Sequence, residues 1–370
     1  MYEASATSKQ YPNERPRTLH PPRAHVNAPV ESHSWTTVGV VVLAWGDEPW
    51  LPECIDAVLG STGVDVQIVL VDNGCLRTDL AALAARPTVA LLRPAINTGF
   101  AGGCNLGAAH VSGQYIALVN SDCILAPDAL AKLVAEGRQP EVGPVMASVR
   151  LADRPSLINS AGNPVHILGV SWAGEMDQPE TRVAPFDVAG ASGAALLLRR
   201  ELWDRLNGFD DAYFAYLEDT ELSLRCARLG LRARCVPTAV AAHHYEFSRN
   251  DTKMYLLERN RLMLVATMWP AGALALLLPL LFVLELGIGV QAMAQGWGRE
   301  KALGWLWLWR NRDHLRQRRA QLRAEAILPG SAWMRALTPR LDDRVIGSAA
   351  ATRVVNAAVS GYWAMIRPLL

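Results

Sequence analysis

The sequence predicts an α/β fold with a mostly parallel central sheet, followed by a C-terminal α-helical region. The first sign is an unbroken apolar run over 38–45. Strands read this way when both faces of their sheet are covered, as in parallel sheets packed between helices. The second sign is the alternation of strand-like and helix-like periods that follows, the pattern of an α/β sheet. The third is a change of composition near residue 250, after which Leu, Trp, Ala and Arg dominate long helical patterns.

Each element has its own warrant. Pro52 opens a segment in which Ile55, Val58 and Leu59 recur at helical spacing. An apolar strand over 66–71 then runs into the turn Asp72-Asn73-Gly74. A helix near 79–85, a strand near 88–93, a glycine-rich turn and helix over 97–110 and a strand over 115–119 continue the series. Residues 145–200 give hairpin-like pieces around 159–171 and a strand over 194–198, and this stretch, Gly193 included, is assigned to the acceptor side. A helix over 218–229 carries Leu222, Cys226 and Leu229 on one face and stops at Gly230. A last strand covers 236–244. The expected division is a disordered arm over 1–35, a catalytic domain over 36–250 and a helical, membrane-associated region over 251–370. No signal peptide is expected, since 1–34 mixes Pro, Ser, His and charges without an apolar stretch.

Composition excludes some functions. Lys+Arg 36 against Asp+Glu 35 leaves a net charge of +1, which argues against a nucleic-acid partner held by bulk positive charge. The six cysteines form no CxxC pair and sit among apolar residues, as thiols of a reducing compartment do.

Three acidic sites fall at strand ends or turns, where open α/β sheets bind ligands. Asp72, with Asn73, can accept hydrogen bonds from a nucleobase or ribose, although Asp-Asn-Gly is also ordinary turn chemistry. Asn120-Ser121-Asp122 follows the strand over 115–119. A hard oxygen ligand there can hold Mg²⁺ or Mn²⁺ against a diphosphate, and the bland alternative is a helix N-cap. Between them, Asn97, Gly99, Phe100, Gly103 and Asn105 lie in a glycine-rich turn and helix that can cradle part of a nucleotide. It lacks the G-x-G-x-x-G of dinucleotide folds, which demotes a dehydrogenase. The third site runs from Phe209 through Tyr213, Phe214 and Tyr216 to Glu218 and Asp219. Aromatic residues beside two carboxylates at a helix start suit proton abstraction from an acceptor hydroxyl, while simple complementarity to the helix dipole would give the same pattern. His243 ends an apolar strand and can complete a metal site with Asp122.

Taken in order, these stretches resemble family 2 glycosyltransferases of the GT-A (nucleotide-diphospho-sugar transferase) fold, in the branch of rhamnosyltransferases and galactofuranosyltransferases. The resemblance covers about 37–250 and is carried by 97–107, Asn120-Ser121-Asp122, 190–200 with Asn207-Gly208-Phe209-Asp210, and 213–225. It implies that Asp72 contacts the base or ribose and that Asp122 and His243 hold a divalent cation under the diphosphate. It also implies that Asp219, supported by Glu218, is the general base of an inverting transfer from a nucleotide sugar. Asn120 stands where the family usually has the first acid of Asp-x-Asp, and Ala44-Trp45-Gly46 where Tyr-Asn is often found.

The run over 269–294 is apolar but interrupted by Pro279 and Glu285, with basic residues on both flanks. That favours helices lying in a membrane interface over one simple span. Trp297, Trp305, Trp307 and Trp309, followed by Arg316, Arg318, Arg319 and Arg323, would face anionic headgroups. The expected partners are a nucleotide sugar, a glycan or lipid-linked glycan acceptor and the inner face of the cell membrane, with the oligomeric state left open. A metal-dependent nucleotidyltransferase is the competing enzyme, disfavoured because 44–60 contains no Lys or Arg. An inactive scaffold of the same fold is favoured only by Asn120.

Overall fold

The computed structural model describes residues 35–244, 250–328 and 330–370. The arm expected to be disordered falls, but for its last residue, outside the described residues. Elements follow in the order β1 (Thr37–Gly46), α1 (Leu51–Leu59), β2 (Asp65–Cys75), α2 (Leu80–Ala84), β3 (Val89–Leu92), α3 (Gly99–Ala108), β4 (Tyr115–Asn120), β5 (Cys123–Leu125) and α4 (Ala129–Gly137). Then come β6 (Val142–Leu151), β7 (Arg154–Ser160), β8 (Phe186–Val188), β9 (Ala195–Arg199), α5 (Arg200–Leu206), α6 (Glu218–Arg228) and β10 (Arg232–His243). Helices α7 (Asp251–Met268), α8 (Ala271–Ala294), α9 (Gly298–Arg310), α10 (Arg312–Glu325), α11 (Asp343–Ile346) and α12 (Ala349–Ile366) complete the chain.

One ten-stranded sheet has the order β3-β2-β1-β4-β9-β6-β10-β5, with β7 beside β6 and β8 beside β10. It is parallel from β3 to β4 and again between β6 and β10, whereas β9 runs antiparallel to both of its neighbours. The apolar run of β1 feeds both faces: Val38, Val40 and Val42 pack with α1 and α4, and Val41 packs with α3. Burial on both faces explains why β1 reads as continuous rather than alternating. Register then gathers the strand ends. Leu43 pairs Asn120 and Ala44 pairs Asp72, so two of the acidic turns emerge on either side of β1.

The C-terminal helices pack on this body through charge as well as apolar contact. Arg318 of α10 donates to Glu221 (2.6 Å) and meets Asp210 (3.3 Å), while Glu221 also pairs Arg225 (2.8 Å). All four groups are buried. Burial alone would raise the Asp210 carboxyl, but the His314 hydrogen bond and the Arg318 charge outweigh it and hold it at about 2. Arg318 therefore faces the protein and not headgroups, as do the indoles of Trp297 and Trp307. Trp305 and Trp309 are exposed.

Helix α8 also departs from expectation. It runs through Pro279 and Glu285 without a break. Glu285 turns inward, where Arg261 and Lys301 pair with it and with Glu258. The outward face keeps Leu278, Phe282, Val283, Leu286, Val290 and Met293. It is the one helix among the described residues long and apolar enough to cross a membrane.

Candidate active site

Antiparallel pairing of β5 with β10 sets Cys123 opposite His243, and the His244 N–H donates to the Asp122 carbonyl (2.9 Å). That register brings His243 Nε2 to 3.0 Å from Asp122 Oδ1. On its other side His243 Nδ1 donates to Asn159 Oδ1 (2.9 Å), the outer hydrogen bond that metal-binding imidazoles characteristically make. Two arrangements satisfy the inner contact: an imidazolium donating to the carboxylate, or a neutral imidazole sharing a cation with it. The second fits, because two adjacent ligands about 2.1 Å from an octahedral ion lie about 3.0 Å apart. No group of three or more His, Cys, Asp or Glu able to hold an ion occurs among the described residues. Asp122 and His243 would thus be the protein's share of a site completed by substrate oxygens and water.

Asp219 lies in the first turn of α6, half-buried. Its carboxylate accepts from the Gly193 N–H (2.8 Å), the Thr220 N–H (2.6 Å) and the Thr220 hydroxyl (3.2 Å). A carboxylate offers about four acceptor sites, so one remains for an incoming hydroxyl. Burial pushes the group above the usual carboxylate range, toward the value a base needs at neutral pH. Glu218 is buried more deeply, with Oε2 unpartnered, and burial together with the Asp219 charge raises it strongly. Burial thus disfavours its ionised form beside Asp219. Gly193 joins this group to Asp122 and His243: the next residue, Ala194, accepts from the Asn120 N–H (3.0 Å). A Cβ on Gly193 would meet Phe100 at 3.3 Å.

Asp72 accepts from the Gly74 and Cys75 N–H groups (3.2 and 3.0 Å) and from Arg93 (3.2 Å). Burial works to raise it, but these donors prevail and hold it below the usual range. Other residues expected at the donor shape the loop instead. Asn73 is buried and ties Gly99 O (2.9 Å) to Thr98 N (2.8 Å), and Asn97 Oδ1 accepts from the Gly99 N–H (2.8 Å). Asn105 clamps Phe209 through both its N–H and C=O (2.9 and 3.0 Å). Gly103 admits Leu43, whose Cδ1 would stand 2.2 Å from a Cβ there.

On the acceptor side, Tyr216 is 39% exposed while Tyr213 is only 1% exposed. Tyr213 is therefore a core residue and not a cleft wall, because its backbone turns inward ahead of α6. Phe214 lies against Gly99, where a φ of +72° and a Cβ that would stand 2.3 Å from Phe214 O admit only glycine.

Two indoles given no role from the sequence also lie here: Trp45, 61% exposed at the end of β1 and beside Gly74, and Trp50, stacked 3.5 Å from His244. Glu48, raised by burial, hydrogen-bonds Ser121 next to Asp122. Their position just past the first strand was the available signal. Asn159 carried none.

Known proteins share the fold. The family model for glycosyl transferase family 2 matches residues 39–206, and over that stretch the chain is similar to that family. Similar proteins include a rhamnosyltransferase and an O-antigen biosynthesis protein. One is the N-acetylglucosaminyl-diphospho-decaprenol L-rhamnosyltransferase of Mycobacterium tuberculosis, 28% identical over 55% of this chain and 75% of its own length. Another is the O-antigen biosynthesis protein RfbC of Myxococcus xanthus, 28% identical over 56% of this chain but 17% of its own. Among solved structures, GalNAc-T7 with UDP, GalNAc and Mn2+ superposes with a TM-score of 0.52 at 17% identity over 64% of this chain. The match takes in 49% of that structure's chain, and it shows the GT-A fold.

Proposed function

We propose that the enzyme transfers a sugar, in the first instance an L-rhamnosyl group, from a nucleoside diphosphate donor to a hydroxyl of a lipid-linked glycan, with inversion. The observation that carries this reading is the Asp219 carboxylate, raised by burial and keeping one open acceptor site, at the same sheet end as Asp122 and His243. Asp219 takes the proton of the acceptor hydroxyl as its oxygen attacks the anomeric carbon, and the nucleoside diphosphate leaves from the opposite face. One displacement inverts the configuration. Asp122 and His243 would hold a divalent cation, which supplies charge neutralisation for the leaving diphosphate. The exposed indole of Trp45 offers a stacking surface next to Asp72 for the donor's base. The acceptor class is supported by the mycobacterial relative, whose name gives a sugar on diphospho-decaprenol.

The test is release of nucleoside diphosphate from UDP-, dTDP- and GDP-sugars with a polyprenyl-diphosphate sugar as acceptor. Acceptor-dependent release with a dTDP-deoxyhexose supports the proposal. Pyrophosphate formation from a nucleoside triphosphate and a sugar phosphate would make the protein a nucleotidyltransferase instead.

The apolar face of α8 gives such an acceptor a place to meet the enzyme, at the inner face of the cell membrane. Glu285 at mid-helix is ion-paired to α7 and α9, so a perpendicular crossing would drag the Glu258 and Arg261 charges into hydrocarbon. Lying in the interface keeps them on the protein side. Carbonate or high salt is expected to release much of the protein from membranes, and resistance to carbonate would require a span.

A further inference from the structure

The segment that delivers Asp219 is the most strained in the site. Phe214, Tyr216 and Leu217 all have positive φ, at 62°, 73° and 70°, and none is glycine. Such backbone persists only where its surroundings hold it, and it gathers at functional sites. Here the holder is α7. The Asn260 side-chain amide donates to the carbonyls of Tyr213 (3.0 Å), Ala215 (2.7 Å) and Tyr216 (2.7 Å). Arg259 donates to the carbonyls of Ala212 (2.8 Å) and Tyr213 (2.6 Å), and to Asn260 Oδ1 (2.8 Å), which fixes the amide's orientation. Both side chains are fully buried, at 0% and 1% exposure. From the other side the Ala101 N–H donates to the Phe214 carbonyl (3.0 Å).

We infer that Asn260, oriented by Arg259, is a positioning residue that holds the 213–217 backbone in its strained path and so aims the Asp219 carboxylate at the acceptor hydroxyl. Resting on the reading of Asp219 as base, this makes α7 a working part of the active site as well as packing for the C-terminal region. Among the described residues the hydrogen-bond partners of Asn260 are Arg259 and the backbone of Tyr213, Ala215 and Tyr216, so the loss on its substitution is expected in turnover and not in donor affinity.

The test compares Asn260→Asp, Asp219→Asn and the double variant. Asn260→Asp keeps the acceptor oxygen for Arg259 but removes the amide donors. The expected result is a fall in kcat of about 10- to 100-fold, with donor KM and calorimetric donor affinity unchanged. In the double variant kcat is no lower than in Asp219→Asn alone, because a residue that acts through another adds nothing once that other is gone. Multiplicative losses, a parallel loss of donor affinity or an unchanged kcat in Asn260→Asp would each overturn the inference. If Asn260→Asp does not fold, Asn260→Ser carries the same measurements, and failure of both to fold would assign Asn260 to the core alone. Normal turnover in Asp219→Asn would sink the base assignment itself, an outcome distinct from active Asn260→Asp beside inactive Asp219→Asn.

Discussion

Asp219→Asn is expected to fold, to bind donor as the wild type does, and to lose transfer by about 10²- to 10⁴-fold, the range general-base catalysis supplies. The isosteric amide can still accept through its oxygen from the Gly193 N–H or the Thr220 pair, so the site keeps its shape while losing its base. Steady-state kinetics with calorimetric donor titration separate the two effects, and near-normal turnover would remove Asp219 from this role. The pH dependence has a definite sign. Since the base acts deprotonated and burial raises it, kcat/KM falls as pH falls, with its acidic limb above the usual carboxylate range. The same rise means that ionising Asp219 opposes folding: its contribution to stability is fully present below the unfolded carboxylate pKa and is lost as pH rises through the folded one. Catalysis and stability thus pull in opposite directions over that window.

The second large effect is expected on removing divalent cation. EDTA should abolish transfer, and Asp122→Ala and His243→Ala should each weaken cation-dependent donor binding, because both touch the same place 3.0 Å apart. Asn159→Ala should do so more mildly, by about 10- to 100-fold, since it orients the imidazole through Nδ1. Donor binding that is equal with and without cation would leave the contact as an ion pair between Asp122 and an imidazolium.

Much of the sheet was legible because its strands are buried on both faces and their ends carry turn chemistry. The runs over 38–45 and 66–71 fall inside β1 and β2, and the helix read over 218–229 is α6. The reversed direction of β9 was not legible, since a short apolar strand reads the same either way. Within the site, strand-end position singled out Asp122 and His243, yet their 3.0 Å separation depends on the β5–β10 register. Asn73 and Asn105 show the opposite: their polarity was visible, but not that backbone groups would use it. Glu285 had a signal of its own. It follows Leu277 by eight residues and precedes Ala292 by seven, the stripe α8 buries. What the sequence withheld was its partners, Arg261 and Lys301, 24 and 16 residues away.

Three consecutive residues of α7 set a distance. Arg259 and Asn260 grip the loop that carries the base, and Arg261 grips Glu285 on the inner side of α8. Helix α7, about 10 Å across, thus touches both the loop that carries Asp219 and the inner side of α8. With the outward apolar face of α8 on lipid, the proposed base would work at a height above the hydrocarbon fixed by the helices beneath it. A sugar attached directly to a carrier's diphosphate would lie close to the membrane, whereas one at the end of a long glycan would stand farther from it. Chain length, read as height above the membrane, would then select the acceptor before any contact with the sugar itself is made.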